Sequence, residues 1–193
     1  MHEVERFFTV AKGAVAAWGG TPAWESAPKD LGLKVLKRHE AAARNLIKEY
    51  GIPERFALIA PVARGLHHGK KKSWDHFNDL CAPLRDMGVE PIVFPSPHEE
   101  AEVKAACSDA RILPPTTLGN YAALSKLAAV VIANDSGVSH IAAAVGAPQI
   151  TLLGVTEPTR TSPWNERAVV LGSAAKGWPR TEEVLESLQK VLG

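Results

Sequence analysis

Residues 129–153, AVVIANDSGVSHIAAAVGAPQITLL, contain the pattern that decides the fold. An apolar run at 129–134 is followed by a polar junction, by an alanine-rich segment at 138–145 and by a second apolar run at 149–154. Short apolar runs bounded by turn residues predict buried strands, and the segment between them predicts a short helix. A strand, a helix and a strand in this order are typical of a unit that joins two parallel strands.

The same alternation extends along the chain, with further apolar runs that predict strands and segments of helical spacing between them. We therefore predict an α/β fold, a single Rossmann-like doubly wound parallel sheet with helices on both faces. Ser73 and Thr117 are expected to cap helices, and Gly88 is expected to follow the end of the first of these. The further predicted strands are 56–60, 91–95, 111–114 and 168–172, and the other predicted helices are 3–18, 34–50, 74–87, 98–107, 118–127 and the segment from 181 onward.

The composition and the N-terminal segment limit the possible classes of protein. The 193 residues include 22 basic and 21 acidic residues, so no net charge favours a nucleic acid or an anionic membrane as partner. Charges interrupt the N-terminal apolar segment, which is therefore neither a signal peptide nor a spanning helix. Cys81 and Cys107 lack the spacing of a metal or redox site. We expect a cytoplasmic protein with no metal and no cofactor.

The chain is expected to divide into two parts. Residues 1–30 contain the predicted N-terminal helix and a Gly/Pro-rich linker, and residues 31–193 contain the Rossmann-like domain. In such a sheet, ligands bind beyond the carboxyl ends of the strands. Most of the unusual polar residues of the chain fall in the five segments that follow these ends, which are 61–73, 95–99, 114–117, 134–140 and 154–163.

The junction NDSGVSH, at 134–140, has the features of an anion-binding turn. Asp135 or Ser136 is placed to cap the next helix, and Gly137 lets the backbone approach a ligand closely. The helix N-terminus offers free N–H groups to an anion, and His140, one turn later, adds a donor. A capped helix with a satisfied histidine explains the same residues. A Ser–His nucleophile is disfavoured because the Gly-x-Ser-x-Gly pattern is absent.

Two further segments add charge at the same predicted edge. The loop PVARGLHHGKKKS, at 61–73, concentrates basic residues, and a diphosphate would match their charge. A solvated lysine-rich loop is the plainer explanation, and adjacent His67 and His68 are poorly placed to share one metal. Glu99 and Glu100 follow a predicted strand, where a carboxylate commonly contacts ribose. Acidic residues that complement a helix dipole explain them equally well.

Taken together, these segments resemble a known family. NDSGVSHIAAAVGAPQITLLGVTEP resembles the signature of family 9 glycosyltransferases, the bacterial heptosyltransferases, and LIAPVARGLHHGKKKSW, FPSPHEEAE and LPPTTL match other segments in order. This family has the GT-B fold, in which two Rossmann-like halves face each other across a cleft. The resemblance covers nearly the whole chain but only the C-terminal, donor-binding half of a family member, and within the family it is strongest to the heptosyltransferase I type.

The resemblance also implies residue roles. Lys72 matches a lysine that contacts the diphosphate and sugar of the donor, Glu99 matches the carboxylate that holds the ribose, and Thr116 matches a position near the adenine. His67 and His68 stand where heptosyltransferase I has threonines beside the phosphates, which puts the phosphate geometry in doubt. The signature residues that hold the diphosphate and sugar correspond to Asp135, Ser136, Gly137 and His140.

The implied ligand is ADP-heptose, or ADP, and the implied reaction is heptose transfer onto the core of lipopolysaccharide. The family's catalytic base lies in the N-terminal half, so we expect no catalytic residue in this chain and binding without turnover. Contact with a membrane is expected only through a lipid-linked acceptor. The alternatives are a non-catalytic nucleotide-binding module and half of another GT-B-like enzyme, such as a sugar-nucleotide epimerase.

The predicted helix at 3–18 raises a separate question of partners. Its apolar positions, including Phe7 and Trp18, form one face, which would be exposed without a preceding domain. We expect this face to pack back on the domain, to contact a missing N-terminal domain, or to form a homodimer.

Overall fold

The computed structural model describes residues 1–193, and its central feature is a six-stranded sheet. The strand order is β5-β4-β1-β6-β7-β8, and every neighbouring pair is parallel. A separate antiparallel hairpin consists of β2 and β3. The strands are β1 (Phe56–Ala60), β2 (Leu66–His67), β3 (Lys70–Lys71), β4 (Glu90–Val93), β5 (Arg111–Ile112), β6 (Val130–Asn134), β7 (Gln149–Leu152) and β8 (Val169–Leu171).

Helices connect the parallel strands, as right-handed crossovers require. No helix combines the length and the apolar character that crossing a membrane needs. The helices are α1 (Glu3–Ala17), α2 (Lys37–Glu49), α3 (Cys81–Asp86), α4 (Glu100–Ala106), α5 (Leu118–Leu127), α6 (Gly137–Ala144), α7 (Pro158–Thr161) and α8 (Thr181–Leu192), with a 3-10 turn at Asn78–Leu80.

The sheet has an apolar core on each face. Ala57 and Ile59 of β1 belong to one core cluster, which also contains residues of α3, α4 and α8. Phe56 and Leu58 belong to the other cluster, with residues of α2, α5 and α6. Alternate residues of a strand point to opposite faces, so both faces of β1 are covered. The doubly wound arrangement predicted from the sequence is confirmed.

The strand order reverses beside β1, and this reversal positions the site. From β1 the chain proceeds outward through β4 to β5, and then returns to add β6 on the other side of β1. The connections that leave β1 and β6 therefore run in opposite directions along the sheet. Such a switch point opens a crevice beyond the carboxyl ends of the two strands, where open α/β sheets bind their ligands.

The helix predicted over 74–87 is shorter than expected. No regular helix begins before the 3-10 turn at Asn78, and Ser73 does not cap one; its Oγ accepts a hydrogen bond from the Ala63 N–H at 3.2 Å. Long-range bonds hold this segment instead: the capping oxygen of Ser73 is engaged by Ala63, and the Trp74 N–H donates to Asn134 Oδ1 at 2.9 Å. By contrast, Gly88 follows α3 with φ 72°, and Thr117 caps α5 as predicted.

The N-terminal helix contacts the domain mainly at its first turn. His2 is buried, its Nε2 lies 3.0 Å from the Ser162 carbonyl oxygen, and its ring packs against Trp164. None of the α1 residues is buried, and Phe7 and Trp18 are 71% and 85% exposed. The expectation that the apolar face packs back on the domain is therefore wrong. The short contact at His2 anchors α1 without covering that face.

Candidate functional site

A cavity of about 440 Å³ lies at the carboxyl edge of the sheet, over the switch point. Residues that follow β1, β4 and β6 line it, together with the first turns of α5 and α6. Its volume is within the range of small-molecule sites. The cavity brings together five residues that the sequence predicted for binding, although they are distant in the chain: Lys72, Glu99, Thr116, Ser136 and Gly137.

The wall of this cavity has a polar side and an apolar side. Lys72, Ser136 and Gly137 come from the loop after β1 and from the junction after β6. Val93 and Phe94, at the end of β4, lie on the other side of the switch point, and Leu118 and Tyr121 of α5 add further apolar surface to the wall. An elongated ligand with a charged end and a flat apolar end matches this division. The apolar wall residues were not predicted as site residues, because their sequence pattern is that of ordinary core positions.

The start of α6 forms the polar side. Ser136 is the N-cap, with extended backbone at φ −147° and ψ 171°, and its N–H donates to Ser139 Oγ. Ser136 Oγ is buried without a hydrogen-bond partner in the protein. A Cβ added at Gly137 would meet no protein atom within 4 Å, so packing does not require a glycine there. Gly137 and Val138, the first residues of the helix, line the cavity, so the start of the helix adjoins a space that is open to an anion.

Asp135 orients the polar junction from behind the cavity wall. The residue is 5% exposed, and its Oδ2 accepts hydrogen bonds from Thr156 Oγ1 at 2.7 Å and Thr161 Oγ1 at 3.2 Å. Its Oδ1 lies 3.4 Å from His140 Nε2. Burial raises the pKa of Asp135, but the bonds from His140 and Thr156 and the charge of Lys72 outweigh it and lower the pKa overall. The ionised carboxylate thus joins the loop 154–163 to the start of α6.

Glu99 lies at the rim of the cavity in a defined orientation. Its Oε1 lies 3.3 Å from Arg64 Nε, and its Oε2 accepts a hydrogen bond from the Ser96 N–H at 3.3 Å. The Glu99 side chain is 20% exposed. Because each oxygen retains a free lone pair, the carboxylate can still accept a bond from a ligand hydroxyl. Arg64, which the sequence suggested only as part of a basic loop, is also a lining residue.

Asn134 is a positioning residue that sequence reasoning missed. It is fully buried at the end of β6, and its Nδ2 donates to the Pro61 carbonyl oxygen at 2.8 Å. Its Oδ1 accepts from the Trp74 N–H. Asn134 therefore holds both ends of the basic loop 61–73, and with them the backbone next to Lys72. A polar residue at the end of an apolar strand was the available signal.

His67 and His68 lie outside the cavity wall. They belong to the β2–β3 hairpin, whose turn residues His68 and Gly69 have φ values of 49° and 77°. Positive φ at both positions is typical of a two-residue hairpin turn. Neither histidine lines the cavity, nor do Lys70 and Lys71. Asp135 and His140 are also absent from the wall, although they adjoin it. The structure has no cluster of three His, Cys, Asp or Glu residues placed to hold a metal.

The fold and the site together define a class of protein. The strand order and the cavity at the switch point are those of a Rossmann-like α/β domain, the unit from which GT-B glycosyltransferases are built. The chain belongs to glycosyltransferase family 9 (heptosyltransferase), whose family model matches residues 1–191. The resemblance noted in the sequence is thereby confirmed at the level of the family.

Individual relatives agree with this assignment. Lipopolysaccharide heptosyltransferase 2 of Escherichia coli K12 is 28% identical over 156 residues, which is 66% of this chain and 45% of that protein. The structure of E. coli ADP-heptose lps heptosyltransferase II superimposes with a TM-score of 0.65 at 25% identity, over 83% of this chain and 53% of that one.

A third structure, E. coli heptosyltransferase WaaC with ADP, shares the fold. Its TM-score is 0.61 at 22% identity, over 78% of this chain and 49% of that chain. The chain thus spans about half the length of the relatives it matches.

Proposed function

We propose that this chain is the donor-binding part of a lipopolysaccharide core heptosyltransferase and that its cavity binds ADP-heptose or ADP. The observation that carries the proposal is the convergence of Lys72, Glu99, Ser136 and Gly137 on one cavity at the switch point of the sheet. Membership of family 9 supports the choice of a heptose donor. A relative of the same fold has been solved with ADP, which supports the choice of nucleotide.

In the proposed complex the diphosphate occupies the polar side of the cavity. Lys72 supplies a full positive charge, and the start of α6 supplies N–H groups and the positive end of the helix dipole. Ser136 Oγ is buried without a partner in the protein and adds a hydroxyl donor. A diphosphate placed here would satisfy groups that the fold leaves unpaired.

The nucleoside then extends towards β4 and α5. Glu99 is placed to accept a hydrogen bond from a ribose hydroxyl, because Arg64 and the Ser96 N–H already orient its carboxylate. Thr116 Oγ1 accepts a bond from Asn120 Nδ2 at 3.3 Å and stands at the start of the apolar wall, where the adenine would lie. The cavity therefore offers separate surfaces for the charged and the flat parts of one nucleotide.

The signature residues outside the wall take supporting roles in this proposal. The Asp135 carboxylate and His140 adjoin Ser136 and Gly137, so they contact the sugar end of the donor or hold the turn that does. His67 and His68 are the weakest members of the proposed set, because the hairpin holds them outside the cavity wall.

For the transfer step we propose that this chain stabilises the leaving group and that another part of the enzyme supplies the base. Negative charge develops on ADP as its bond to the sugar breaks, and Lys72 with the α6 N–H groups would stabilise it. Both nearby carboxylates are engaged, Glu99 with Arg64 and Asp135 with Thr156. A carboxylate whose pKa is lowered, as that of Asp135 is, is a weak general base.

We further propose that residues 1–30 are a segment between domains and that residues 31–193 form the donor-binding domain. The last helical turns of α1 and the linker after it contain no buried residue, whereas the domain has its own core on both sheet faces. In this arrangement the protein meets a membrane only through its lipid-linked acceptor, in the cytoplasm, and binds no nucleic acid.

Calorimetry tests the binding proposal directly. We expect ADP and ADP-heptose to bind and UDP-sugars to bind more weakly. Lys72→Ala should weaken ADP binding by about 1–3 kcal/mol if Lys72 pairs with a phosphate. Lys70→Ala is the matched control, since Lys70 is exposed and does not line the cavity. Absence of ADP binding at millimolar concentration, or equal losses for both variants, would show that the cavity is not a nucleotide site.

A turnover assay separates a binding module from a complete enzyme. With ADP-heptose and a lipid A–Kdo acceptor, we expect no transfer by this chain alone, because the proposed base lies elsewhere. Measurable transfer would overturn the assignment of the base to another part of the enzyme. Binding of a different sugar nucleotide in preference to ADP-heptose would favour the alternative of another GT-B-like enzyme, such as an epimerase.

A further inference from the structure

Tyr121 has a hydroxyl group that the fold does not use. The residue is 4% exposed, and its hydroxyl is buried without a hydrogen-bond partner in the protein. Only three buried side-chain oxygen or nitrogen atoms in the chain lack a partner, and two of them, in Tyr121 and Ser136, belong to residues of the cavity wall. An unpaired buried hydroxyl costs folding free energy, so its presence in a residue of the cavity wall calls for an explanation.

The location of Tyr121 assigns it to one end of the cavity. It lies in the first turn of α5, three residues after Leu118, and both side chains line the same wall. This wall continues through Phe94 at the end of β4, on the far side of β1 from the start of α6. Tyr121 therefore belongs to the apolar part of the wall and is not one of the groups that match a diphosphate.

We infer that a small shift of the buried Tyr121 side chain lets its hydroxyl recognise the nucleoside of the bound nucleotide, directly or through one bound water, so that Tyr121 is a specificity-determining residue of this site. The inference rests on the proposed function and goes beyond it, because the resemblance assigned Tyr121 no role. A phenol hydroxyl both donates and accepts, so it matches the ring nitrogens of a base or a ribose hydroxyl. Burial raises the pKa of Tyr121, so the group keeps its proton.

The chemistry predicts opposite effects of one substitution on stability and on binding. Tyr121→Phe keeps the ring in the wall and removes only the hydroxyl. Without nucleotide, the variant should melt at the same temperature as the wild type or higher, because an unpaired polar group has been removed. In the complex, loss of the hydroxyl should lower the affinity for ADP roughly three- to tenfold. A hydroxyl with a purely structural role would lower the melting temperature instead.

The test is calorimetry with ADP and with pyrophosphate on the wild type, Tyr121→Phe and Tyr50→Phe, together with thermal unfolding of each. The chain has two tyrosines, and Tyr50, at the end of α2, does not line the cavity. We expect only Tyr121→Phe to lower the affinity for ADP. Its affinity for pyrophosphate and its melting temperature without nucleotide should not fall.

Three outcomes would overturn the inference while leaving the proposed function intact. They are equal ADP affinity in wild type and Tyr121→Phe, an equal loss for ADP and pyrophosphate, and a lower melting temperature of Tyr121→Phe without nucleotide. Failure of the wild type to bind ADP is a different result, because it removes the proposed function and with it the nucleoside that Tyr121 is inferred to recognise.

Discussion

At the scale of single residues, several groups at the cavity are better explained by a ligand than by the fold. Ser136 Oγ and the Tyr121 hydroxyl are buried without partners, and Gly137 has no neighbour that would exclude a side chain. Natural proteins retain locally unfavourable groups mainly where function requires them. The three residues come from the starts of two consecutive helices, α5 and α6, and they line one cavity. This coincidence is what distinguishes a site from a set of capped helices.

Gly137 provides the sharpest residue-scale prediction. Gly137→Ala should leave stability unchanged or raise it by up to about 1 kcal/mol, because alanine favours helix and meets no protein atom there. The same methyl group would stand where an anion approaches the helix N–H groups, so ADP affinity should fall at least about tenfold. Denaturant unfolding and calorimetry measure the two effects.

Gly13→Ala is the matched control for this substitution. Gly13 lies inside α1, has no atom within 4 Å of an added Cβ, and is remote from the cavity wall. It should gain stability in the same way and leave ADP affinity unchanged. If Gly137→Ala binds ADP as tightly as the wild type does, no ligand approaches the start of α6.

At the scale of elements, the local pattern predicted the sheet but not the loops at its edge. Apolar runs and helical spacing depend on neighbouring residues, so all six parallel strands and every helix except the four-residue α7 were predicted. The irregular segment after Ser73, where a helix was predicted, is held by long-range bonds such as that between Trp74 and Asn134, which are 60 residues apart. The β2–β3 hairpin was missed because its two-residue strands are too short to show alternation.

The candidate site shows the same limit. Lys72, Glu99, Thr116 and the start of α6 were predicted to meet, because strand ends of a parallel sheet share one edge. Tyr121 was missed because a tyrosine in a helix has no local pattern that signals a site. Asn134 was missed although it is a polar residue ending an apolar strand, because its bonding partners lie far away in the sequence. Only the tertiary structure shows that one hydroxyl has no partner and that one amide joins two ends of a loop.

Asn134 carries the element-scale prediction. Asn134→Ala would leave the Trp74 N–H and the Pro61 carbonyl unpaired in a buried position, at a cost of about 1–3 kcal/mol for each unpaired group. We expect a lower free energy of unfolding and weaker ADP binding through a misplaced Lys72. Relative to the wild type, the rate of hydrogen exchange should increase more in 61–74 than in β7. Denaturant unfolding and hydrogen exchange followed by mass spectrometry measure these changes.

Asn165→Ala is the control for the Asn134 prediction. Asn165 also bridges backbone groups, with bonds to the Ala143 carbonyl and the Arg167 N–H, but it is half-buried and does not line the cavity. Water can replace its bonds, so its loss should cost less and should spare ADP affinity. Unchanged exchange in 61–74 of Asn134→Ala would mean that other contacts hold the loop.

At the scale of the whole molecule, α1 presents an apolar stripe that the domain does not cover. Phe7, Val10 and Trp18 are 71%, 70% and 85% exposed. With Ala14 they follow one another at helical spacing and form a single stripe. Monomeric proteins rarely leave such a surface open, and a helix with one apolar stripe commonly pairs with another helix. A second copy of this chain has the same stripe and is the occupant that we propose.

Light scattering tests this proposal. We expect the purified chain to have about twice its monomer mass of 20.7 kDa at tens of micromolar concentration, because burying two stripes against each other removes apolar area from water. The double variant Phe7→Ser with Trp18→Ser should have the monomer mass. Its melting temperature should equal that of the monomeric wild type, since α1 contributes no buried residue. Leu66→Ser removes another exposed apolar side chain, 68% exposed on the β2–β3 hairpin, and should leave the mass unchanged. A wild-type chain that is monomeric at these concentrations would contradict a homodimer through α1 and would leave the stripe for another domain of a longer enzyme.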